Sequence, residues 1–348
     1  MRNKIFINSL LLVLASMTMH AQDTLKILHY TETTGYDHGT KMVSKQLFQR
    51  ICDSLSLNNN TVWLLHHSDT SEVFDDPTFL QSFHVVIWSN TSGAGGLTTT
   101  QQQNFEQYFL NGGNYLGIHA ASDTYRHSSA NGNNTGAWDF YAENLSGCSV
   151  QENPNHTSAN FPGTILHTAN HPTLNGLPNP WNKNEEYYYW ENGFVESSFT
   201  NLLAVESTGM QSYDSSRMVA RYKVHAWGSK SFYTSLGHDA NDYVQDQTFE
   251  LLLKNTLQWM QPPLLSNPEA STHPLAAITI SPNPVNNTLT LHQLPEQGVE
   301  IQLYDATGKT VVTHLIKQNI NLEGLPAGLY FLSISYQNNV VSHPIIKE

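Results

Sequence analysis

Six side chains scattered along the 348 residues have types that chemistry uses: His38, His119, His156, Glu186, His238 and Asp239. Imidazole gains or loses a proton near neutral pH and also ligates metals, and a nearby carboxylate orients the ring and steadies its charge. Two or three imidazoles, a carboxylate and one open position make a zinc-type hydrolytic site. A divalent metal such as zinc is therefore a candidate cofactor, with His119, His156 and His238 as candidate ligands. No H-E-x-x-H or C-x-x-C stretch occurs among these residues. Only the fold could bring them together.

Plainer roles compete at each position. His119 would serve as a hydrogen-bonded cap at a strand end, and His38 as part of the turn before a helix. His156 and His171 lie in Pro-containing loops that water could simply solvate. Glu185 and Glu186 are neighbours, and alternation along a strand sends only one of them inward; Glu186 is the one assigned. His238 and Asp239 would diverge on a strand and pair only at a turn, which Gly237 allows. His119 and His238 are accordingly read as acid-base or ligand residues, with Glu186 and Asp239 orienting them. His38, Asn90, Asp123, His156 and Tyr188 are read as substrate contacts. Tyr187 to Trp190 would make either a stacking wall for a sugar ring or a packed strand.

These residues sit where an α/β fold would expose them. Leu25–Tyr30, Thr61–His66, His84–Trp88 and Tyr115–His119 read as strands, with a helix over Lys41–Leu57 and another opened by the T-x-x-Q capping box Thr98–Gln101 and closed by Gly112–Gly113. Alternating strands and helices predict a doubly wound, mostly parallel sheet, whose ligands bind past the carboxyl ends of the strands. His38, Asn90, His119 and His238 all follow such ends. Ala120–Trp181 is irregular. Leu202–Glu206, Met218–Val224 and Ser231–Leu236 read as added strands, and Gln245–Met260 as a closing helix. The α/β unit is assigned to residues 23–260.

Residues 261–274 contain four prolines and read as an extended linker. Residues 275–348 follow as short strands separated by Gly-containing turns, the pattern of a small all-β sandwich. At the other end, Arg2 and Lys4 precede an apolar run from Ile5 to Met17 and small residues up to Ala21. That is the layout of a removable signal peptide over residues 1–21, too short to remain as a membrane anchor. The formal net charge of −13 disfavours nucleic acid as a partner. Cys52 and Cys148 are the only cysteines and read as two buried thiols rather than a disulfide.

The tail resembles the C-terminal sorting domain of the type IX secretion system of Bacteroidetes. The matching stretches are Ser281–Leu291 (SPNPVNNTLTL), Ile301–Val312 (IQLYDATGKTVV), Leu322–Ile334 (LEGLPAGLYFLSI) and the terminal IIKE. That resemblance implies a secreted or surface-held protein that engages the type IX machinery.

The larger unit resembles the ThuA (trehalose utilisation) family, which has a class I glutamine amidotransferase-like fold. The residues that carry the likeness are His29–Thr40 (HYTETTGYDHGT), Leu116–Tyr125 (LGIHAASDTY), Asn155–Thr157, His171–Pro172, Asn184–Trp190 (NEEYYYW) and Ser231–Tyr243 (SFYTSLGHDANDY). In the amidotransferases the position of His119 is held by the nucleophilic Cys. An imidazole is a poor substitute for a thiolate, so glutamine hydrolysis is disfavoured. The family implies action on carbohydrate: a disaccharide, a glycoside or a keto-sugar. The competing function is a non-catalytic extracellular carbohydrate-binding protein.

Overall fold

The computed structural model describes residues 23–58, 61–126, 138–195, 197–209, 214–262, 275, 278–295, 299–313, 318–336 and 339–348. The expected signal peptide and most of the linker lie outside these residues. Among the described residues, eleven strands belong to the larger unit: β1 (Asp23–Tyr30), β2 (Thr61–Ser68), β3 (Val85–Ser89), β4 (Asn114–Ile118), β5 (Cys148–Val150), β6 (Phe161–His167), β7 (Trp181–Glu185), β8 (Trp190–Val195), β9 (Thr200–Val205), β10 (Arg217–Val224) and β11 (Lys230–Thr234). Its helices are α1 (Lys41–Asn58), α2 (Pro77–Gln81), α3 (Thr99–Leu110), α4 (Ala240–Val244) and α5 (Gln247–Met260).

The main sheet runs β2-β1-β3-β4-β11-β10-β9-β6-β7. The first five strands are parallel, and β10, β9, β6 and β7 extend the sheet in antiparallel fashion. Every residue of β3 and β4 is buried, as expected for central strands covered on both faces. Period two splits their side chains between two cores. Val85, Ile87, Leu116 and Ile118 join Phe48 of α1 and Leu253 of α5, while Val86, Trp88 and Tyr115 join Phe105 and Phe109 of α3.

Cys52 belongs to the first core and Cys148 to the second, so the sheet separates them. Both are free thiols. Burial pushes each up to about 12, which leaves them inert.

The capping box ahead of α3 is present in both directions: Gln101 N–H donates to Thr98 Oγ1 at 3.3 Å, and Thr98 N–H to Gln101 Oε1 at 2.8 Å. The closing helix expected over Gln245–Met260 is α5, which starts at Gln247 because Asp246 caps it by accepting from Thr248 and Phe249 N–H; α4 is an additional short helix just before it. Strands β5 and β6 fall in the region read as irregular, and β7 begins at its end. In β7 the buried positions are Trp181, Lys183 and Glu185, and inward-facing charged residues hide a strand from any hydrophobic period.

The tail holds two antiparallel sheets. One contains β12 (Thr279–Ser281), β13 (Thr288–His292) and β16 (Asn319–Asn321); the other contains β14 (Val299–Asp305), β15 (Thr310–Thr313), β17 (Gly328–Tyr336) and β18 (Asn339–Lys347). Leu289, Leu291, Ile301, Leu303, Leu332, Ile334 and Ile345 form its core. This is an all-β region, as read from its turns. No helix among the described residues is long and apolar enough to cross a membrane.

Candidate active site

Strand β4 ends at Ile118, one residue earlier than its hydrophobic run suggests, because the chain turns sharply at His119. His119 has φ 47°, a left-handed conformation that non-glycine residues rarely adopt, and it opens the short helical turn His119–Asp123. The turn aims the imidazole across the rim of the sheet. Its Nδ1 lies 2.7 Å from the Ser235 carbonyl oxygen. A carbonyl only accepts, so the proton resides on Nδ1 and the lone pair of Nε2 faces the site.

His238 arrives from the loop after β11. Gly237, at φ 105°, has no room for a Cβ, which would meet Phe249, Tyr243 Oη and Ile118 at 2.8–3.0 Å. The loop is clamped from below by Glu185, which accepts Gly237 N–H at 2.9 Å and His238 N–H at 3.2 Å. Tyr243 Oη–H also donates to the Gly237 carbonyl at 2.9 Å.

Glu186 leaves the end of β7 and is brought over the rim by backbone pairing of 155–157 with 187–189. In that pairing Thr157 N–H donates to the Tyr187 carbonyl and Tyr189 N–H to the Asn155 carbonyl. Its Oε2 lies 3.2 Å from His238 Nδ1 and 3.4 Å from His119 Nε2, and its Oε1 lies 3.0 Å from His156 Nδ1. The two imidazoles approach each other at 3.3 Å, His119 Nε2 to His238 Nδ1.

His38, from the loop between β1 and α1, stands edge-on to both rings, with centroids 4.8 Å from His119 and 5.2 Å from His238. Donor atoms of His38, His119, Glu186 and His238 all lie within 4.8 Å of one another. They could hold a metal ion. His156 stands beside this set, on the far oxygen of Glu186, and not within it.

The charges follow from the geometry. Burial alone would raise Glu186, but the neighbouring imidazoles outweigh it and hold the carboxyl well below the ordinary range. His238 is raised, because the hydrogen bond and charge of Glu186 overcome burial. His38 drops to about 3, through burial and then the neighbouring imidazoles. Neutral His38 therefore faces an ion-pair-like couple of His238 and Glu186.

The remaining expected site residues do other work. Asp239 does not orient an imidazole: its side chain caps α4 by accepting Asn241 N–H at 2.7 Å, and its own N–H donates to Asp242 Oδ2 at 3.0 Å. A carboxylate just before a helix satisfies the free amides there more readily than it reaches back.

Asn90, at φ 52°, is buried beneath the site. Its Nδ2 donates to Thr40 Oγ1, the Gly237 carbonyl and Tyr243 Oη at 2.8–2.9 Å, and its Oδ1 accepts Ala120 N–H at 3.3 Å. It ties the post-strand loops together and does not face a substrate. Asp123 pairs with Arg126 at 3.0 Å at the edge of the site.

Tyr188 stacks on His119 with centroids 4.6 Å apart and reaches Nε2 with its hydroxyl at 3.1 Å. It supports the imidazole with its face rather than offering it to a sugar. Tyr187, Tyr189 and Trp190 are also buried, so the run packs as core and the stacking wall is not formed. His171 is no solvated loop residue either: its ring lies 4.1 Å from Tyr222, and burial lowers it to about 4.

Sequence reasoning missed Glu185 and Lys183. Lys183 Nζ meets Asp242, Asp246 at 3.0 Å and Glu185 at 3.6 Å, so a buried ion network anchors the His238 loop from below. Only the E-E pair hinted at it. The orienting carbonyl of Ser235 leaves no trace in residue type at all.

The family model described as trehalose utilisation matches residues 26–260, well over half of the chain. The chain belongs to the ThuA family. A second model, a secretion system C-terminal sorting domain, matches residues 279–348. This ThuA-family protein is therefore exported through the type IX machinery to the medium or the cell surface.

A solved structure of a ThuA-like protein from Bacteroides uniformis is similar in fold, with TM-score 0.51 and 20% identity over 69% of this chain and 93% of that one. Two cytoplasmic proteins of Salmonella typhimurium align with TM-scores of 0.46, at 13% and 11% identity, over 68% of this chain and 98% and 100% of theirs. No curated protein matches the chain.

Proposed function

We propose that this exported ThuA-family protein is an enzyme that processes a carbohydrate (a disaccharide, glycoside or keto-sugar) by acid-base or metal-assisted chemistry, with His119, His238 and Glu186 as the reacting centre. The observation that carries the reading is the meeting of three imidazoles and one carboxylate, from four separate parts of the chain, within 4.8 Å. A structural scaffold has no need of such a set, since each buried imidazole must be satisfied by its neighbours, and perturbed titratable groups gathered at one place are where proton transfer is done.

His119 presents a fixed lone pair, and the His238–Glu186 couple can deliver or accept a proton beside it. His38 and His156, both partly open to solvent, stand where a polar substrate would enter. The family description, trehalose utilisation, supports a sugar as that substrate.

The test is a screen of disaccharides, aryl glycosides and keto-sugars with the full chain, read by product chromatography. Turnover by the wild type that His119→Ala abolishes supports the reading. Binding of a sugar without turnover of any compound in the set would replace it with the non-catalytic carbohydrate-binding function.

A further inference from the structure

We infer that His119 Nε2, His238 Nδ1 and Glu186 Oε2 are the direct ligands of one divalent first-row metal ion, with His38 at its open side and His156 holding the carboxylate from behind. This deepens the proposed function at the same centre and rests on that reading only for the ion's catalytic use.

The spacing of the three donor atoms fits a bound ion. In a tetrahedral site with bonds of 2.0–2.1 Å, ligand atoms stand about 3.3 Å apart. The three separations here are 3.3 Å (His119 to His238), 3.4 Å (His119 to Glu186) and 3.2 Å (His238 to Glu186). All are longer than the roughly 2.9 Å that an N–H···O bond prefers. Together they outline one face of a tetrahedron.

The placement of protons at the site also favours a cation. The Ser235 carbonyl holds the proton of neutral His119 on Nδ1, so Nε2 and the Glu186 oxygen, 3.4 Å away, face each other as two acceptors. The Tyr188 hydroxyl at 3.1 Å and His238 Nδ1 at 3.3 Å are the neighbouring donors to Nε2, whereas a cation at the shared face would satisfy the nitrogen and the carboxylate together. A metal ion with nitrogen and oxygen ligands meets that need, and the carbonyl on the far ring nitrogen is the usual outer partner of a metal-bound imidazole. The competing occupant is a second proton on His119, which the test separates from the ion.

The surroundings leave one side of this face open. His38 Nδ1 is buried with no hydrogen-bond partner among the described residues. Including His38 widens the set to 4.8 Å, looser than the three-atom face. A position left open beside three protein ligands is the arrangement of a catalytic rather than a structural ion, and the unpartnered nitrogen would receive a hydrogen bond from water or substrate on that ion. His156 Nδ1 lies 2.6 Å from the Thr157 carbonyl oxygen and 3.0 Å from Glu186 Oε1; its N–H, shared between them, steadies the carboxylate as an outer-sphere partner.

The untagged full chain would be stripped with a chelator, dialysed against zinc chloride and analysed for bound metal, then titrated with Co²⁺ and followed by its visible absorption. The expected result is about one zinc per chain, as for a single mononuclear site, and the intense cobalt bands of a four-coordinate site. His119→Ala, His238→Ala and Glu186→Gln should each abolish stoichiometric binding. His156→Ala should weaken it about 10- to 100-fold, the usual effect of removing an outer partner. His292→Ala, in the tail, should leave it unchanged.

Far-UV circular dichroism of Glu186→Gln separates lost binding from lost folding; should that variant not fold, retained zinc and cobalt bands in the wild type and the graded loss in His156→Ala carry the test. Absence of zinc from the wild type, or unchanged binding in the folded ligand variants, overturns the inference. Stoichiometric zinc with no turnover of any sugar upholds the ion and removes the catalytic reading; no zinc on the wild type with turnover by the zinc-free chain overturns the ion and leaves that reading standing.

Discussion

Glu185 and Glu186 are adjacent in sequence and hold the same residue, His238, from opposite sides: Glu185 accepts its backbone N–H at 3.2 Å, and Glu186 faces its ring nitrogen at 3.2 Å. Substitution should separate these tasks. Glu185→Gln replaces one buried acceptor with a donor facing backbone N–H groups, and should cost about 2–3 kcal/mol of stability, the scale of a lost hydrogen bond to a buried charged group. Glu186→Gln should change stability far less and remove turnover. Urea unfolding and initial rates on the two variants measure both effects.

Asp239 provides the converse case. As the N-cap of α4 it should lose about 1 kcal/mol on replacement by Ala, while turnover stays within a few-fold of the wild type. Asp239→Asn should recover most of the stability, because Asn caps as well as Asp. Loss of turnover in folded Asp239→Asn would return this carboxylate to the chemistry.

Asn90 joins the loops after β1, β3, β4 and β11 from a left-handed backbone position that costs other residues about 1–2 kcal/mol. Asn90→Ala should therefore destabilise by about 2–4 kcal/mol, combining that conformational cost with unsatisfied partners. Thermal unfolding should show a markedly lower midpoint. Asn90→Asp should be milder on the backbone but lose the donated bonds.

Acid should destabilise the fold through two imidazoles outside the site. His29 is held down to about 3 by burial and then by His67, and His225 to about 2 by burial and then by Lys223. Both are buried and stay neutral in the folded chain. The unfolded chain would protonate them near pH 6.5, so between about pH 6.5 and 3 it binds protons that the native state does not. Their contribution is complete above pH 6.5 and is lost as pH falls, at up to about 1.4 kcal/mol per pH unit for each ring. Urea midpoints measured from pH 7 to 4.5 should decline, and His225→Gln should flatten the slope.

Much of the scaffold was legible because local chemistry and tertiary packing agree. The buried runs of β3 and β4, the Thr98–Gln101 box and the positions past the strand ends follow from periodicity and capping alone. Features that depend on pairing distant segments were not legible. Strand β7 turns Lys183 and Glu185 inward, against the hydrophobic pattern, and the short pairing of 155–157 with 187–189 that lifts Glu186 over the rim has no composition of its own. Alternation predicted one inward carboxylate; two are buried because the chain leaves the strand between them. Asp239 was ambiguous for a related reason, since a carboxylate beside a histidine and one capping a helix look the same until the helix is seen.

The most direct test of the account compares kcat and substrate affinity between the wild type and His119→Ala on whichever sugar the screen yields. In the variant kcat should fall by at least about 100-fold, the lower end for loss of an acid-base group, while Kd measured by calorimetry changes only a few-fold. A His119→Ala variant that folds and turns over the sugar at the wild-type rate would contradict it.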